Sequence, residues 1–518
     1  MNKKPNILFI TTDQQHWQAM GYLNPEVKTP NLDNLVRQGT TFSRAYTVNP
    51  TCTPTRASWI TGLYPSQHGA YSLGTKLMEH VPTVGEEFRK HGYRTALIGK
   101  AHFQPLKSTA EYPSLEAYPI MHDLDFWRKF TGPFYGFEHV ELARNHTHEA
   151  HIGQHYALWL EARAPGRWRN YFAPMPETLP EHPGFPQYTG PHPTKPPPTT
   201  WAIPEELHYN TWIAERTNAL MQQYAGEGKN FFLWASFLDP HPPYMVPEPF
   251  ASMYDPGKVT VPEHLPGEFD DKPPYFKLSQ QANPDFSAFH EPEGHGIHGA
   301  GSHLRAREHK AKNIAAMYGM MTMLDKYIGR ILDQLDRLGL RENTLVCFST
   351  DHGDFWGQHG LVAKAIHHYE DLLRVPLVVS LPGRIPQGAV SDALQSAVDL
   401  PQTFLGMAGL PAPRTMAGVD ETDVWLGKKE TIREHVIVEN QHQPTKMNIR
   451  SLINRRYKIT VHYNQTYGEL YDLENDQGEI KNLWDSPVHG NLKQKLLLEF
   501  LHGEMAKAPL PMPRIAGA

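Results

Sequence analysis

"NILFITTDQQ", residues 6–15, is a short β-rich run that stops on an acid and two amides. It is far shorter than the roughly 20 apolar residues of a membrane span. It also lacks the longer apolar stretch and small-residue cleavage site of a signal peptide. A short apolar run bounded by a polar turn reads as a buried strand. Similar runs recur as "TFSRAYT" (41–47), "TALIG" (95–99), "FFLWASF" (231–237), "TLVCFST" (344–350) and "VPLVVSL" (375–381). Helical patterns lie between them. Leu32, Leu35 and Val36 form a stripe that stops at Gly39, and "TVGEEFRKHGY" stops at Gly92. "TRASWITGLY", "NTWIAERTNALMQQYA" and "AKNIAAMYGMMTMLDKYIGRILDQLDRLG" are further helices, the last with Met residues at helical spacing that read as core filler. Alternating strands and helices predict an α/β fold with a mostly parallel central sheet sandwiched by helices.

Two stretches interrupt this rhythm. Residues near 104–205 and near 240–306 are rich in proline and histidine and read as surface insertions, which often shape a pocket. After about residue 405, "EHVIVEN", "RSLINRRYKITVHY" and "GELYDLEND" read as antiparallel strands with turns. The expected organisation is an α/β domain over 1–405 and a small C-terminal antiparallel-sheet (α+β) subdomain and tail over 406–518.

The 518 residues suffice for one large core and a smaller one. A net charge of −6 gives no electrostatic reason to expect nucleic acid as a partner. Two cysteines cannot build a disulfide framework. With no membrane-length apolar run, the expectation is a cytoplasmic protein without a membrane partner. Most of the 30 histidines are expected at the surface or in loops.

Functional residues of open α/β sheets lie just past the carboxyl ends of strands. Asp13 and Gln14 follow the first strand, and Lys100 and His102 follow "TALIG" in "GKAHF". Asp239 and His241 follow "FFLWASF", Asp351 and His352 follow "TLVCFST", and Lys364 comes soon after. Four ends loaded with carboxylates, imidazoles and lysines point to one convergent site. Cys52, in "TVNPTCTPTRAS" (47–58), precedes what reads as a helix with Pro54 in its first turn and Arg56 close by. A helix N-terminus attracts anions. Asp13 and Asp351 could hold a hard cation through oxygen. A cation among this many donors points to the ester of a tetrahedral oxyanion.

Cys52-Thr53-Pro54-Thr55-Arg56, followed by "ASWITGLYPSQHG", resembles the C-x-P-x-R motif of type I sulfatases. "GYRTALIGKAHF" resembles the second signature of that family, and "STDHGDFWGQHGLVAK" and "ELYDLENDQGEIKNLWD" resemble its later blocks. The resemblance touches both ends of the chain and leaves the Pro-rich insertions unmatched. It implies an alkaline-phosphatase-like fold and hydrolysis of sulfate monoesters, aryl, choline or sugar. It further implies that a formylglycine-generating enzyme oxidises Cys52 to formylglycine. Asp13, Gln14, Asp351, His352 and the modified residue 52 would bind one divalent cation, calcium as first choice. Arg56 would hold the hydrated aldehyde, and one hydroxyl would attack sulfur with Asp351 taking its proton. Lys100, His241 and Lys364 would bind sulfate oxygens, His241 or Lys364 would assist the leaving alcohol, and His102 would be the base that expels sulfate.

Two positions depart from the commonest pattern. Many sulfatases have a second Asp where this chain has Gln14, and Asn where it has His352. The pattern here resembles the branch of choline sulfatases and phosphonate monoester hydrolases. Neutral side chains give the cation less negative charge, which makes manganese the second choice. A phosphonate monoester or phosphodiester hydrolase with the same nucleophile is therefore the rival reading, and "GKAHF" favours the sulfatase. A non-catalytic protein that binds sulfated ligands is a third. The cluster "NHTHEAHIGQH" (145–155) lacks the H-E-x-x-H arrangement and reads as surface. "HEPEGHGIHGAGSH" (290–303) reads as a Gly-rich loop. The tail "EMAKAPLPMPRIAGA" could reach a second subunit and so leaves a homo-oligomer open.

Overall fold

A computed structural model describes residues 4–176, 184–186, 189, 199–281, 285–289, 306–364, 366–441 and 446–517. The Gly-rich 290–303 stretch lies outside the described residues. At the centre is an eight-stranded sheet. Its strands are β1 (Asn6–Thr12), β2 (Thr40–Phe42), β3 (Arg94–Gly99), β4 (His139–Leu142), β5 (Phe231–Ser236), β6 (Thr344–Thr350), β7 (Leu377–Ser380) and β8 (Ala389–Ser391). Their order is β8-β2-β7-β6-β1-β5-β3-β4. All neighbours pair in parallel except β7, which is antiparallel to both β6 and β2.

The sheet is covered on both faces, which is why its central strands are nearly continuous apolar runs. Leu8 and Ile10 of β1 pack on one face with α1 (Pro30–Arg37), α5 (Tyr209–Gly226) and α6 (Arg307–Arg337). Ile7 and Phe9 pack on the other with α2 (Cys52–Thr61), α3 (Val84–Lys90) and α7 (Leu400–Met407). All ten residues of α2 are buried, so its sequence shows no amphipathic stripe. Gly62 ends it in the left-handed region at φ 64°.

Further along, β9 (His435–Gln441), β10 (Asn448–Asn454), β11 (Tyr457–His462) and β12 (Gly468–Asp472) form an antiparallel sheet. Ile437, Leu452, Ile459 and Leu470 bury one face of it with Leu496 and Phe500 of α8 (Gly490–Ala506). Beyond α8, Leu510, Met512 and Ile515 are exposed. Among the described residues, no helix is long and apolar enough to cross a membrane.

Three expectations need correction. "TFSRAYT" is two short strands: Thr40–Phe42 joins the main sheet, while Ala45–Tyr46 pairs with Arg374–Val375 and Gln395–Ser396. "VPLVVSL" breaks likewise at Pro376, which has no N–H to donate to a ladder. The 104–205 stretch is more than surface. It supplies β4, α4 (Gln154–Arg163) and the fully buried Trp127, Tyr156 and Trp168.

Gly99 closes β3 at φ 108°, and a Cβ there would meet the Ser236 carbonyl oxygen at 1.9 Å. Gly99→Ala is expected to cost at least about 1–3 kcal/mol from backbone strain alone. It should also displace Lys100, the next residue. A lowered melting temperature with weakened substrate binding checks this.

Candidate active site

Parallel strands end at one edge of the sheet, so β1, β3, β5 and β6 deliver their following residues to one place. The Thr47 hydroxyl ties the loop before α2 to that edge, donating to the Asp351 carbonyl at 2.7 Å. Cys52 is the first residue of α2, with Thr51 outside it, so the thiol sits on the first helical turn itself.

Asp13, Cys52, Asp351 and His352 are all buried, and their candidate ligand atoms lie within 4.8 Å of one another. Cys52 Sγ is 3.5 Å from Asp13 Oδ1, 3.3 Å from His352 Nε2 and 3.0 Å from Lys364 Nζ. Two carboxylates and an imidazole, buried together, make a donor set that fits a divalent cation. Gln14, at φ 56°, lies beside them; its Nε2 donates to Asp354 Oδ1 at 2.9 Å. Only its carbonyl oxygen is left to turn toward a cation.

Arg56 braces the carboxylates. Its Nε donates to Asp351 Oδ2 at 2.7 Å, and Nη1 donates to the Lys100 carbonyl at 2.9 Å and Ser236 Oγ at 2.8 Å. Nη2 is 3.9 Å from Asp13 Oδ2 and has no hydrogen-bond partner. Asp351 Oδ1 accepts the backbone N–H groups of Gln14 and His352, both at 3.0 Å.

The remaining residues surround Cys52. Lys100 Nζ pairs with Asp13 Oδ2. Lys364 Nζ also reaches His241 Nε2 at 3.1 Å. His102 lies at φ 58° and is 7% exposed, with its Nδ1 buried and unpartnered. Glu116 holds the loop there by accepting the backbone N–H groups of His102, Phe103 and Gln104, each at 2.8 Å.

The charges shape the titrations. Burial alone would raise the Asp13 pKa, but Lys100, His241, His146 and Arg56 outweigh it and hold the carboxyl well below its usual range. Burial and Asp13 push the Cys52 thiol up, while Lys100 and Lys364 pull it down; the result is about 7. Burial, with Arg144 and Lys100, keeps the His102 pKa well below the usual imidazole value. His241 is depressed in the same way by burial, His146 and Lys364. Burial lowers the Lys364 pKa, but Cys52 and Asp13 overcome that and leave it raised.

Asp239, expected at the same strand end, turns away. Its carboxylate accepts from Tyr209 Oη and from Asn210 Nδ2, the latter at 2.7 Å. Burial raises its pKa to about 7.

Sequence reasoning missed His146, which it left at the surface with its neighbours. The structure places this ring 2.8 Å from Lys100 Nζ and 3.4 Å from Asp13 Oδ2, stacked on His241. It follows β4 as Lys100 follows β3, so recognising "HVEL" (139–142) as a strand would have found it. Asp354 was also missed, although "DHGD" carries it beside Asp351.

A family model described as Sulfatase matches residues 5–410. One described as N-sulphoglucosamine sulphohydrolase, C-terminal, matches residues 357–505. An arylsulfatase of Clostridium perfringens (strain 13 / Type A) is 26% identical over 96% of this chain and 95% of its own length. A multifunctional alkaline phosphatase superfamily protein of Trinickia caryophylli, PehA, is 29% identical over 80% of this chain and 76% of its own. The phosphonate monoester hydrolase SpPMH from Silicibacter pomeroyi shares the fold at a TM-score of 0.77 and 23% identity, covering 98% of this chain and 96% of that one.

Proposed function

The chain belongs to the sulfatase family, and from that premise we propose that this sulfate ester hydrolase uses a formylglycine made from Cys52 as its nucleophile. One observation carries the reading. The Cys52 thiol is buried on the first turn of α2, within 3.5 Å of Asp13, His352 and Lys364. A formylglycine-generating enzyme, with dioxygen as oxidant and the sulfur leaving as sulfide, would convert its CH₂–SH to an aldehyde, to which water adds to give two hydroxyls.

One hydroxyl attacks the sulfur of a small-molecule or saccharide sulfate ester, forming a new S–O bond as the bond to the alcohol breaks. Asp351 takes the proton. Lys100 and Lys364 stabilise charge on the sulfuryl oxygens, and the Lys364 ammonium, fixed by donating to His241 Nε2 at 3.1 Å, gives the departing alkoxide its proton. His102 takes the proton of the second hydroxyl, so that sulfate leaves and the aldehyde returns. Its depressed pKa keeps the ring neutral, and thus able to accept, near pH 7. A divalent cation held by Asp13, Gln14, Asp351, His352 and residue 52 would supply Lewis-acid charge stabilisation; His352 and Gln14 leave manganese beside calcium as its identity.

His102→Ala is expected to cut steady-state turnover by about 10²–10⁴-fold. Release of the first alcohol should survive as a burst, and a sulfated adduct of residue 52 should build up and be visible by mass. Wild-type turnover in that variant removes His102 from the mechanism.

A second reading is hydrolysis of phosphonate monoesters or phosphodiesters, and Gln14 with His352 favours it. A matched panel of aryl sulfate, phosphonate monoester and phosphodiester, with metal-replete enzyme, tests the choice. The sulfate is expected to have the highest kcat/KM. Preference for the phosphonate or the diester over every sulfate would replace the proposal.

A further inference from the structure

The reaction above leaves His146 without a task, yet it completes a repeated arrangement. Lys364 Nζ faces His241 Nε2 at 3.1 Å, and Lys100 Nζ faces His146 Nε2 at 2.8 Å. The two imidazoles stack with centroids 3.6 Å apart and planes at 13°. Each ring is anchored through Nδ1 on an oxygen, His241 on the Pro242 carbonyl and His146 on Glu149 Oε2 at 3.1 Å. The anchor takes the Nδ1 proton, which leaves the Nε2 lone pair to accept from the lysine. Anchor, imidazole and lysine thus occur twice, side by side.

The second copy is well fixed. The backbone N–H of His146 also donates to Glu149 Oε2, at 3.1 Å. Asn145 is buried, and its Nδ2 donates to the Thr147 carbonyl at 3.1 Å. The His146 side chain is 12% exposed. Besides His146, Lys100 Nζ has Asp13 as a partner. Without His146, Asp13 alone would be left to orient the ammonium. His241 would lose the flat surface that fixes its ring.

We propose that the Glu149–His146 couple is a positioning device for ester cleavage: its ring fixes His241, whose Nε2 aims the Lys364 ammonium at the departing alkoxide, and its Nε2 holds Lys100 toward the sulfuryl oxygens. This rests on the roles given above to Lys364 and Lys100. Positioning losses of this kind cost up to about 10²-fold in rate.

The test is a series of aryl sulfates whose phenols run from strongly to weakly acidic. kcat and KM are measured for the wild type and for His241→Ala, His146→Ala, His146→Phe, His146→Asn and Glu149→Gln. Melting temperature and the converted fraction of residue 52 are recorded for each. In His146→Ala, kcat/KM should fall about 10²-fold for the least acidic phenol and only by the rise in KM for the most acidic, with KM raised throughout. His146→Phe keeps a ring against His241 and should recover the wild-type leaving-group slope with KM still raised. His146→Asn keeps an acceptor for Lys100 and should recover KM but not the slope. Glu149→Gln should show both defects in weaker form. Should His146→Ala fail to fold, the other three variants carry the same comparison.

A steep slope in His241→Ala with wild-type slope and KM in the His146 and Glu149 variants overturns the couple alone. A wild-type slope in His241→Ala overturns the reading beneath it, that His241 aims Lys364. Losses that are equal across all esters and follow the melting temperature make His146 merely structural and also overturn the proposal.

Discussion

Cys52→Ala is expected to lower turnover by about 10⁶-fold, the scale on which a covalent nucleophile is lost, while the protein stays folded. The side chain is buried at 1% exposure, but alanine is the best helix former and Cys52 sits on the first turn of α2. Lys364 keeps His241 as a partner when the sulfur is gone. The thermal transition should therefore stay cooperative. Cys52→Ser should fail equally if the converting enzyme accepts only cysteine, because an unconverted hydroxyl lacks the second hydroxyl that expels sulfate. Full activity in Cys52→Ala would remove the covalent mechanism.

Asp351→Asn should have the second-largest effect, because the carboxylate serves several neighbours at once. It pairs with the buried Arg56 and accepts two backbone N–H groups. It also belongs to the cluster that fits a cation. Removing one partner of a buried ion pair costs up to about 3–5 kcal/mol, and Asp13, 3.9 Å from Arg56 Nη2, offsets part of that loss here. An amide nitrogen in place of Oδ1 or Oδ2 would face another N–H. The variant should melt earlier, lose bound metal and lose activity. Elemental analysis of the purified variant checks the metal; unchanged content would remove Asp351 from the ligands.

Much of this centre could be read from strand ends alone. β1, β3, β5 and β6 are central and apolar, so their carboxyl ends stand out, and Asp13, Lys100, His102, His241, Asp351 and His352 follow them. Physical reasons hid the rest. β4 is a four-residue edge strand whose His139 and Glu141 are polar, with Glu141 bound by Arg216. An edge strand needs no continuous apolar run, so its sequence looked like loop and His146 went unseen. Glu116 and Glu149 act through loop geometry, holding backbone N–H groups of residues 102–104 and 146. No spacing rule reports such contacts. The split strands around Ser43 and Pro376 are set by pairing between distant segments, which a local pattern does not record.

The proposed formylglycine at position 52 should account for all turnover. The direct test prepares the protein with graded amounts of its converting enzyme, so that the fraction of residue 52 present as aldehyde varies. That fraction is read by mass on the peptide that carries it. Turnover of an aryl sulfate per mole of protein should rise in proportion to the aldehyde fraction and extrapolate to zero without it. Full turnover from protein whose Cys52 is wholly unmodified would contradict the account.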